Sequence, residues 1–275
     1  MDRTRIVYER GGSGSPVVLL HGLGHRRQAW YPVMGPLMER HEVYALDLPG
    51  FGDSPAPDGG RAYDVPSLVE AVRRICADLG LRRPHLVGNS LGGAIALELG
   101  AAGVAASVTA LSPIGFNGRP AGAGARVLAR AAQLAAFVPT PMLQAAADSP
   151  PGRALARRML RGEVSDPADR HLAFDARAIA AGSAYVRLAP YAAAYTFSAP
   201  EVPCPVTVAW GDRDRLLPPS GARRALRRIP HARQVVLLGC GHIPMSESPR
   251  IVAAEILRTI GDTRSRGGFL SPPLR

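Results

Sequence analysis

Hydrophobic positions along the 275-residue chain fall into two alternating patterns. Short apolar or β-branched runs recur at Ile6–Tyr8, Val17–Leu20, Val43–Leu46, His85–Val87, Val108–Leu111, Val206–Ala209 and Val235–Leu238. Several are continuous rather than alternating, which predicts strands covered on both faces and therefore a mainly parallel sheet. Stretches of helical periodicity lie between them, at Arg27–Met38, Ser67–Leu79, Leu91–Ala101, Ala222–Arg228 and Ser248–Ile260. Strand and helix in alternation predict an α/β protein with a doubly wound, mainly parallel sheet.

The rhythm breaks between Ile114 and Pro200, where Ala/Arg-rich helical pieces are punctuated by Pro139, Pro141, Pro150, Pro151, Pro167 and Pro190. This predicts a mainly helical insertion between the fifth and sixth strands. The chain divides into a core of residues 1–114 and 201–262, an insertion of 115–200, and a tail of 263–275. With Gly267-Gly268 and Pro272-Pro273, the tail has no periodicity and is expected to fray.

Composition narrows the chemistry. A chain of this size buries about three quarters of its unfolded surface, so the core needs no covalent staples. All 33 basic residues are arginine and none is lysine, against 22 acidic residues, for a net charge of +11. Without lysine there is no phosphate-binding G-x-x-x-x-G-K-[ST] loop and no Schiff base to a carbonyl or to pyridoxal phosphate. Arg223, Arg224, Arg227 and Arg228 stand at i, i+4 spacing on one expected helix and are read as a solvated face. No nucleic-acid motif or aromatic platform accompanies them, so the expected partner is a small molecule, anionic ones included, and not a nucleic acid.

The odd set Cys76, Cys204 and Cys240 reads as reduced thiols in a cytoplasmic protein. Cys240 and His242 are two ligand types, too few for a metal site, and no metal or cofactor is expected. The start, Met1-Asp2-Arg3-Thr4-Arg5, has no apolar run of a signal peptide behind it. Leu91 to Phe116, the most apolar stretch, is interrupted by Glu98, Gly103 and Pro113. It reads as a buried helix and strand, not a stable membrane insertion.

Gly88-Asn89-Ser90-Leu91-Gly92 is G-x-S-x-G between a buried strand and an apolar helix. So tight a turn strains the serine and needs small neighbours, which makes Ser90 the candidate nucleophile. A hydroxyl needs a base. His242, in Gly239-Cys240-Gly241-His242 just past the last strand, is placed to reach it. Asp212 and Asp214, after the sixth strand, both offer an acid to orient the histidine. Asp212, directly after Gly211, suits a turn-capping role, and Asp214 has the longer reach. His21-Gly22-Leu23-Gly24 opens the loop after the second strand. The backbone N–H groups of Leu23 and Leu91 are expected to form an oxyanion hole, with His21 pinning the loop. Gly22-x-Gly24 lacks the third glycine of a dinucleotide loop, since Arg27 stands there. His25 lies in the same loop without an assigned role.

Five motifs in order resemble the α/β-hydrolase superfamily: H-G-x-G at 21–24, D-L-P-G-F-G-D-S at 47–54, G-N-S-L-G-G at 88–93, W-G-x-x-D at 210–214 and G-H-x-x-x-x-E-x-P at 241–249. The resemblance runs from about Ile6 to Ile260, excluding most of the insertion. It implies the α/β-hydrolase fold, with the insertion as a helical cap roofing the active site. It also implies the serine-nucleophile branch, because haloalkane dehalogenases and epoxide hydrolases carry aspartate where Ser90 stands. Asp214, the last residue of W-G-x-x-D, is the implied acid. The implied activity is a carboxylesterase-like hydrolysis of a small or medium acyl ester through an acyl-enzyme on Ser90. The alternatives are a carbon–carbon hydrolase of vinylogous diketone acids and a triad-bearing small-molecule receptor with slow turnover. Carbon–carbon hydrolases share the G-N-S-x-G-G elbow but usually carry tryptophan after the histidine, where this chain has Ile243.

Overall fold

A computed structural model describes residues 6–57, 63–116, 138, 140–162 and 183–267. Seven strands build one sheet: β1 (Tyr8–Gly11), β2 (Ser15–Leu20), β3 (His41–Leu46), β4 (His85–Asn89), β5 (Ser107–Leu111), β6 (Val206–Gly211) and β7 (Arg233–Leu237). Their order is β1-β3-β2-β4-β5-β6-β7. Only the β1–β3 pair is antiparallel. The other five are parallel, so the doubly wound reading holds.

Burial on both faces is visible within β2. Val18 and Leu20 face one apolar layer, and Val17 and Leu19 face the other. The first layer holds α2 (Val65–Asp78) and α3 (Leu91–Ala101); the second holds α1 (Tyr31–Met38) and α9 (Pro249–Gly267). The edge strand β7 departs from this pattern. Val236 and the neighbouring Leu238 are exposed, so only one face of β7 is covered.

Local chemistry sets the helix boundaries. The α2 helix begins two residues before the expected Ser67. The Asp64 carboxylate accepts the Ser67 N–H and the Ser67 hydroxyl accepts the Asp64 N–H, each at 2.9 Å, a reciprocal cap. The expected helix from Arg27 starts as a 3-10 turn (Arg27–Trp30) before α1. The α9 helix runs on to Gly267, because nothing between Asp262 and the Gly267-Gly268 pair breaks it. The residues after 267 lie outside the described set.

Between β5 and β6 the described residues form only helices: α4 (Thr140–Asp148), α5 (Pro150–Leu160) and α6 (Ser183–Ala194). Residues 117–137, 139 and 163–182 of the expected insertion lie outside the described set. The buried face of α6, with Ala184, Tyr185 and Leu188, joins the same apolar layer as Leu48, Phe51 and Tyr63. The arginine row on α7 (Ser220–Arg228) is not only a solvated face. The Arg224 guanidinium donates to the Phe116 carbonyl, where the chain leaves the core, and Arg228 donates to the Ser198 carbonyl, where it returns. Among the described residues, no helix is long and apolar enough to cross a membrane.

Candidate active site

β4 ends at Asn89 and α3 starts at Leu91, so Ser90 alone makes the reversal. It does so at φ 56° and ψ −111°, a conformation that costs a non-glycine residue of order 1–3 kcal/mol. Neighbouring backbone holds it there. The Ser90 N–H donates to the Leu111 carbonyl at 2.9 Å, and its own carbonyl accepts from Ala94 at 3.1 Å and Ile114 at 3.2 Å. Small neighbours are a steric requirement. A Cβ on Gly88 would lie 2.1 Å from the Gly92 carbonyl, and one on Gly92 would lie 2.1 Å from the Leu20 oxygen.

The loop after β2 lies against this turn, since a Cβ on Gly22 would sit 3.3 Å from the Ser90 Cβ. Leu23 and Leu91, the expected oxyanion donors, are thus each one residue from that approach. The Leu91 N–H is at the first residue of α3, where the helix itself supplies no acceptor. His21 pins the loop as expected. Its Nε2 accepts the Leu48 N–H at 2.9 Å, so Nδ1 carries the proton and donates to the Gly22 carbonyl at 2.8 Å. Complete burial penalises the imidazolium and pushes His21 down to about 4. His25 is buried too, and its Nδ1 accepts the Arg26 N–H at 3.1 Å.

The 47–54 motif locks the same region from behind. The wholly buried Asp47 carboxylate accepts the Arg27 N–H at 2.6 Å and the Asp53 N–H at 2.9 Å, and pairs with the Arg27 guanidinium. Gly52 sits at φ 57°, and a Cβ there would fall 2.2 Å from an Asp47 oxygen. The Ser54 hydroxyl donates to the Asp47 carbonyl at 2.8 Å and accepts the Val7 N–H at 2.9 Å, tying this loop to the chain entering β1.

The two aspartates after β6 separate cleanly. Asp214 is buried, and its Oδ2 lies 2.8 Å from Nδ1 of the buried His242. Its Oδ1 accepts the N–H groups of Leu216 at 3.0 Å and Leu217 at 2.8 Å, which fixes the carboxylate plane. Asp212 does not approach the imidazole. Its Oδ1 accepts the Gly239 N–H at 2.7 Å and its Oδ2 lies 3.8 Å from Arg213. Asp212 therefore ties its own turn to the loop after β7, a longer-range link than the local cap expected of it.

Three residues not singled out from sequence hold the histidine loop. The Asn89 amide donates to the His242 carbonyl at 3.0 Å and to the Leu111 carbonyl at 3.2 Å. The buried Glu247 carboxylate accepts the Gly241 N–H at 3.0 Å and the Gly162 N–H at 2.7 Å. Arg161, also buried, donates to the Ser246 hydroxyl, and its charge acts on Glu247. Burial pushes the Glu247 carboxyl above its ordinary range, against the N–H donors and Arg161 that favour its charged form. The His242 N–H donates to the Leu160 carbonyl at 3.0 Å. Leu160–Gly162, at the end of α5, thus forms a seam with the histidine loop. Two glycines let it close: a Cβ on Gly162 would lie 2.0 Å from the Gly239 oxygen, and one on Gly241 2.5 Å from the Arg161 carbonyl carbon. Asn89 and Glu247 both stand inside quoted motifs, whereas nothing in the local sequence marks Arg161 or Gly162.

Among the described residues, no three His, Cys, Asp or Glu side chains cluster as metal ligands. The arrangement brings a strained serine, an oriented imidazole and a buried carboxylate to the carboxyl ends of β4, β7 and β6, the end where α/β sheets place their sites.

Comparison with known proteins bears on the family and the fold. A pimeloyl-[acyl-carrier protein] methyl ester esterase from Aeromonas hydrophila subsp. hydrophila is 40% identical over 94 residues, 34% of this chain and 35% of that protein. A dihydrolipoyllysine-residue acetyltransferase component of an acetoin cleaving system from Pseudomonas putida is 31% identical over 256 residues, 91% of this chain. The matches thus span about a third of the first relative's length and 65% of the second's. The solved structure of a thermophilic esterase from Thermogutta terrifontis superposes with a TM-score of 0.77 at 22% identity, covering 94% of this chain and 93% of that one, a likeness of fold. Residues 17–255 match the alpha/beta hydrolase family, and with the sheet order and the elbow already described, the chain belongs to that family.

Proposed function

We propose that the protein is a serine hydrolase that cleaves an ester of a small or medium acyl group, with Ser90 as nucleophile, His242 as base and Asp214 as the orienting acid. The observation that carries this reading is the buried 2.8 Å contact between His242 Nδ1 and Asp214 Oδ2, on a loop tied by Asn89 to the serine turn. Asp214 keeps the Nδ1 proton in place, which leaves Nε2 to act as base. Ser90 Oγ attacks the ester carbonyl while Nε2 takes its proton. The N–H groups of Leu23 and Leu91 receive the oxyanion as it forms. The imidazolium then protonates the leaving alcohol, and the acyl group stays on Ser90. Water, deprotonated by His242, attacks this acyl-enzyme and releases the acid. The esterase named among the relatives supports ester cleavage. The insertion acts as a cap that sets substrate choice. A cytoplasmic location fits the three buried free thiols.

The test is labelling by a fluorophosphonate together with hydrolysis of esters of graded acyl length. Wild type should be labelled once, and Ser90→Ala should lose both labelling and turnover. Labelling that survives in Ser90→Ala would place the nucleophile elsewhere.

A further inference from the structure

The proposed chemistry leaves two buried charged residues without a part in it, Glu247 and Arg161. Glu247 ends α8 (Pro244–Glu247), and its carboxylate folds back over the histidine loop. Both of its oxygens accept the Gly241 N–H, at 3.0 and 3.2 Å, and one of them also accepts the Gly162 N–H at 2.7 Å. Three backbone groups around the imidazole are thereby fixed from three different elements. Glu247 holds the Gly241 N–H, the Leu160 carbonyl holds the His242 N–H at 3.0 Å, and Asn89 holds the His242 carbonyl at 3.0 Å.

As a source of stability this pair of charges is a poor choice. Burying both costs desolvation, and apolar side chains of similar volume often do as well or better. A carboxylate provides what an apolar group cannot, a directional acceptor for two N–H groups at once. That acceptor is strongest while ionised. Burial disfavours the Glu247 charge and Asp214 opposes it, while the Gly162 N–H, Arg161 and the Gly241 N–H favour it. Cys240, whose thiol burial pushes up, also stands beside it. Arg161 follows directly on α5, in the insertion. The cation that favours an ionised Glu247 therefore comes from outside the core.

We propose that Glu247 and Arg161 are positioning residues for the base: the Glu247 carboxylate aims the His242 imidazole, and Arg161 keeps that carboxylate ionised. The ring is then aimed only when the end of α5 is seated on the histidine loop. This rests on His242 as the base, but the aim of the ring can be read without turnover.

Two measurements on the full chain test it. One is the set of imidazole 15N shifts, with the His242 signals assigned by their loss in His242→Gln. The other is kcat and KM for an ester between about pH 5.5 and pH 8.5, around the histidine range. Glu247→Gln keeps the shape but turns an NH2 toward the N–H donors. Its His242 ring should populate both tautomers where wild type holds the proton on Nδ1, and kcat should fall roughly 10–100-fold at unchanged KM. Arg161→Met serves where Glu247→Gln does not fold. Without the cation the buried carboxylate keeps its proton to higher pH, so the loss in kcat should be several-fold larger near about pH 6 than near about pH 8. In Arg161→Met/Glu247→Gln that dependence of the loss on pH should vanish. Its persistence in the double variant would mean that Arg161 acts on His242 directly, and would overturn the proposal. So would a destabilised Glu247→Gln with wild-type 15N shifts and unchanged kcat, or an effect confined to KM. A wild type without ester turnover would count against His242 as an esterase base, and the 15N comparison would still decide whether Glu247 aims the ring.

Discussion

Asn89 and His242 lie 153 residues apart, and the Asn89 side-chain amide donates to the His242 carbonyl across 3.0 Å. The strained serine turn and the histidine loop are therefore one hydrogen-bonded unit. Asn89→Leu removes the donor and keeps the volume. It leaves the buried His242 carbonyl without that partner, while the Leu111 carbonyl keeps the Ser90 N–H. The expected cost is about 1–3 kcal/mol of stability, with a lowered turnover from a less constrained imidazole. Urea unfolding and ester hydrolysis on the same sample check this. Full turnover in a destabilised variant would show that the link serves the fold alone.

The two aspartates make opposite predictions. In Asp214→Asn the amide can still accept from Leu216 and Leu217 through its oxygen, but its NH2 then faces His242 Nδ1 and favours the wrong tautomer. Turnover should fall by orders of magnitude at nearly unchanged melting temperature; the corresponding change in a serine protease costs about ten-thousandfold. Asp212→Asn keeps an oxygen for the Gly239 N–H and should cost little. The reverse ranking in two equally stable variants would reassign the acid.

Strands and motifs were legible because their causes are local. Continuous apolar runs placed β2 to β6, and the glycines of 88–93 placed Ser90 because a Cβ at Gly88 or Gly92 would meet backbone. Where causes are distant, the sequence was silent. The antiparallel start at β1, the uncovered face of β7, and the Arg224 and Arg228 ties to Phe116 and Ser198 depend on what lies alongside in space. Asp214 was separable from Asp212 by reach and by motif position, but the partner of Asp212, Gly239, was not. The seam of Leu160–Gly162 with Glu247 joins residues about 85 positions apart, and only the folded chain brings them together.

Burial of His21 ties stability to acidity. Its folded value of about 4 lies below the unfolded 6.5, so between these values the unfolded state binds more protons. Stability is then fully present above pH 6.5 and is lost as pH falls toward 4, by an amount on the order of 3 kcal/mol from this residue. Denaturant unfolding at several pH values should show a flatter slope across that window in His21→Gln than in wild type. Parallel slopes would mean that another group titrates there.

Two glycines in helices should behave oppositely. A Cβ at Gly92 meets the Leu20 carbonyl, which belongs to the central sheet and cannot yield, so Gly92→Ala should cost about 3 kcal/mol or more. Gly35, exposed within α1, has nothing within 4 Å of such a carbon. Gly35→Ala should gain about 1 kcal/mol from helix propensity. Melting curves of the pair decide the matter; a stabilised Gly92→Ala would contradict the close approach of α3 to β2.

The seam at Leu160–Gly162 bears on how such proteins can diverge. An insertion that touched the core only through its apolar face could be exchanged wholesale between relatives, carrying a new substrate range onto unchanged chemistry. Here three of its residues supply the acceptor for the His242 N–H and the donors around Glu247. A chimera that swaps the insertion as a block therefore also swaps part of the support of its own histidine. Domain shuffling must spare these three positions or bring matching ones, so diversification is channelled into α4, α6 and the exposed side of α5.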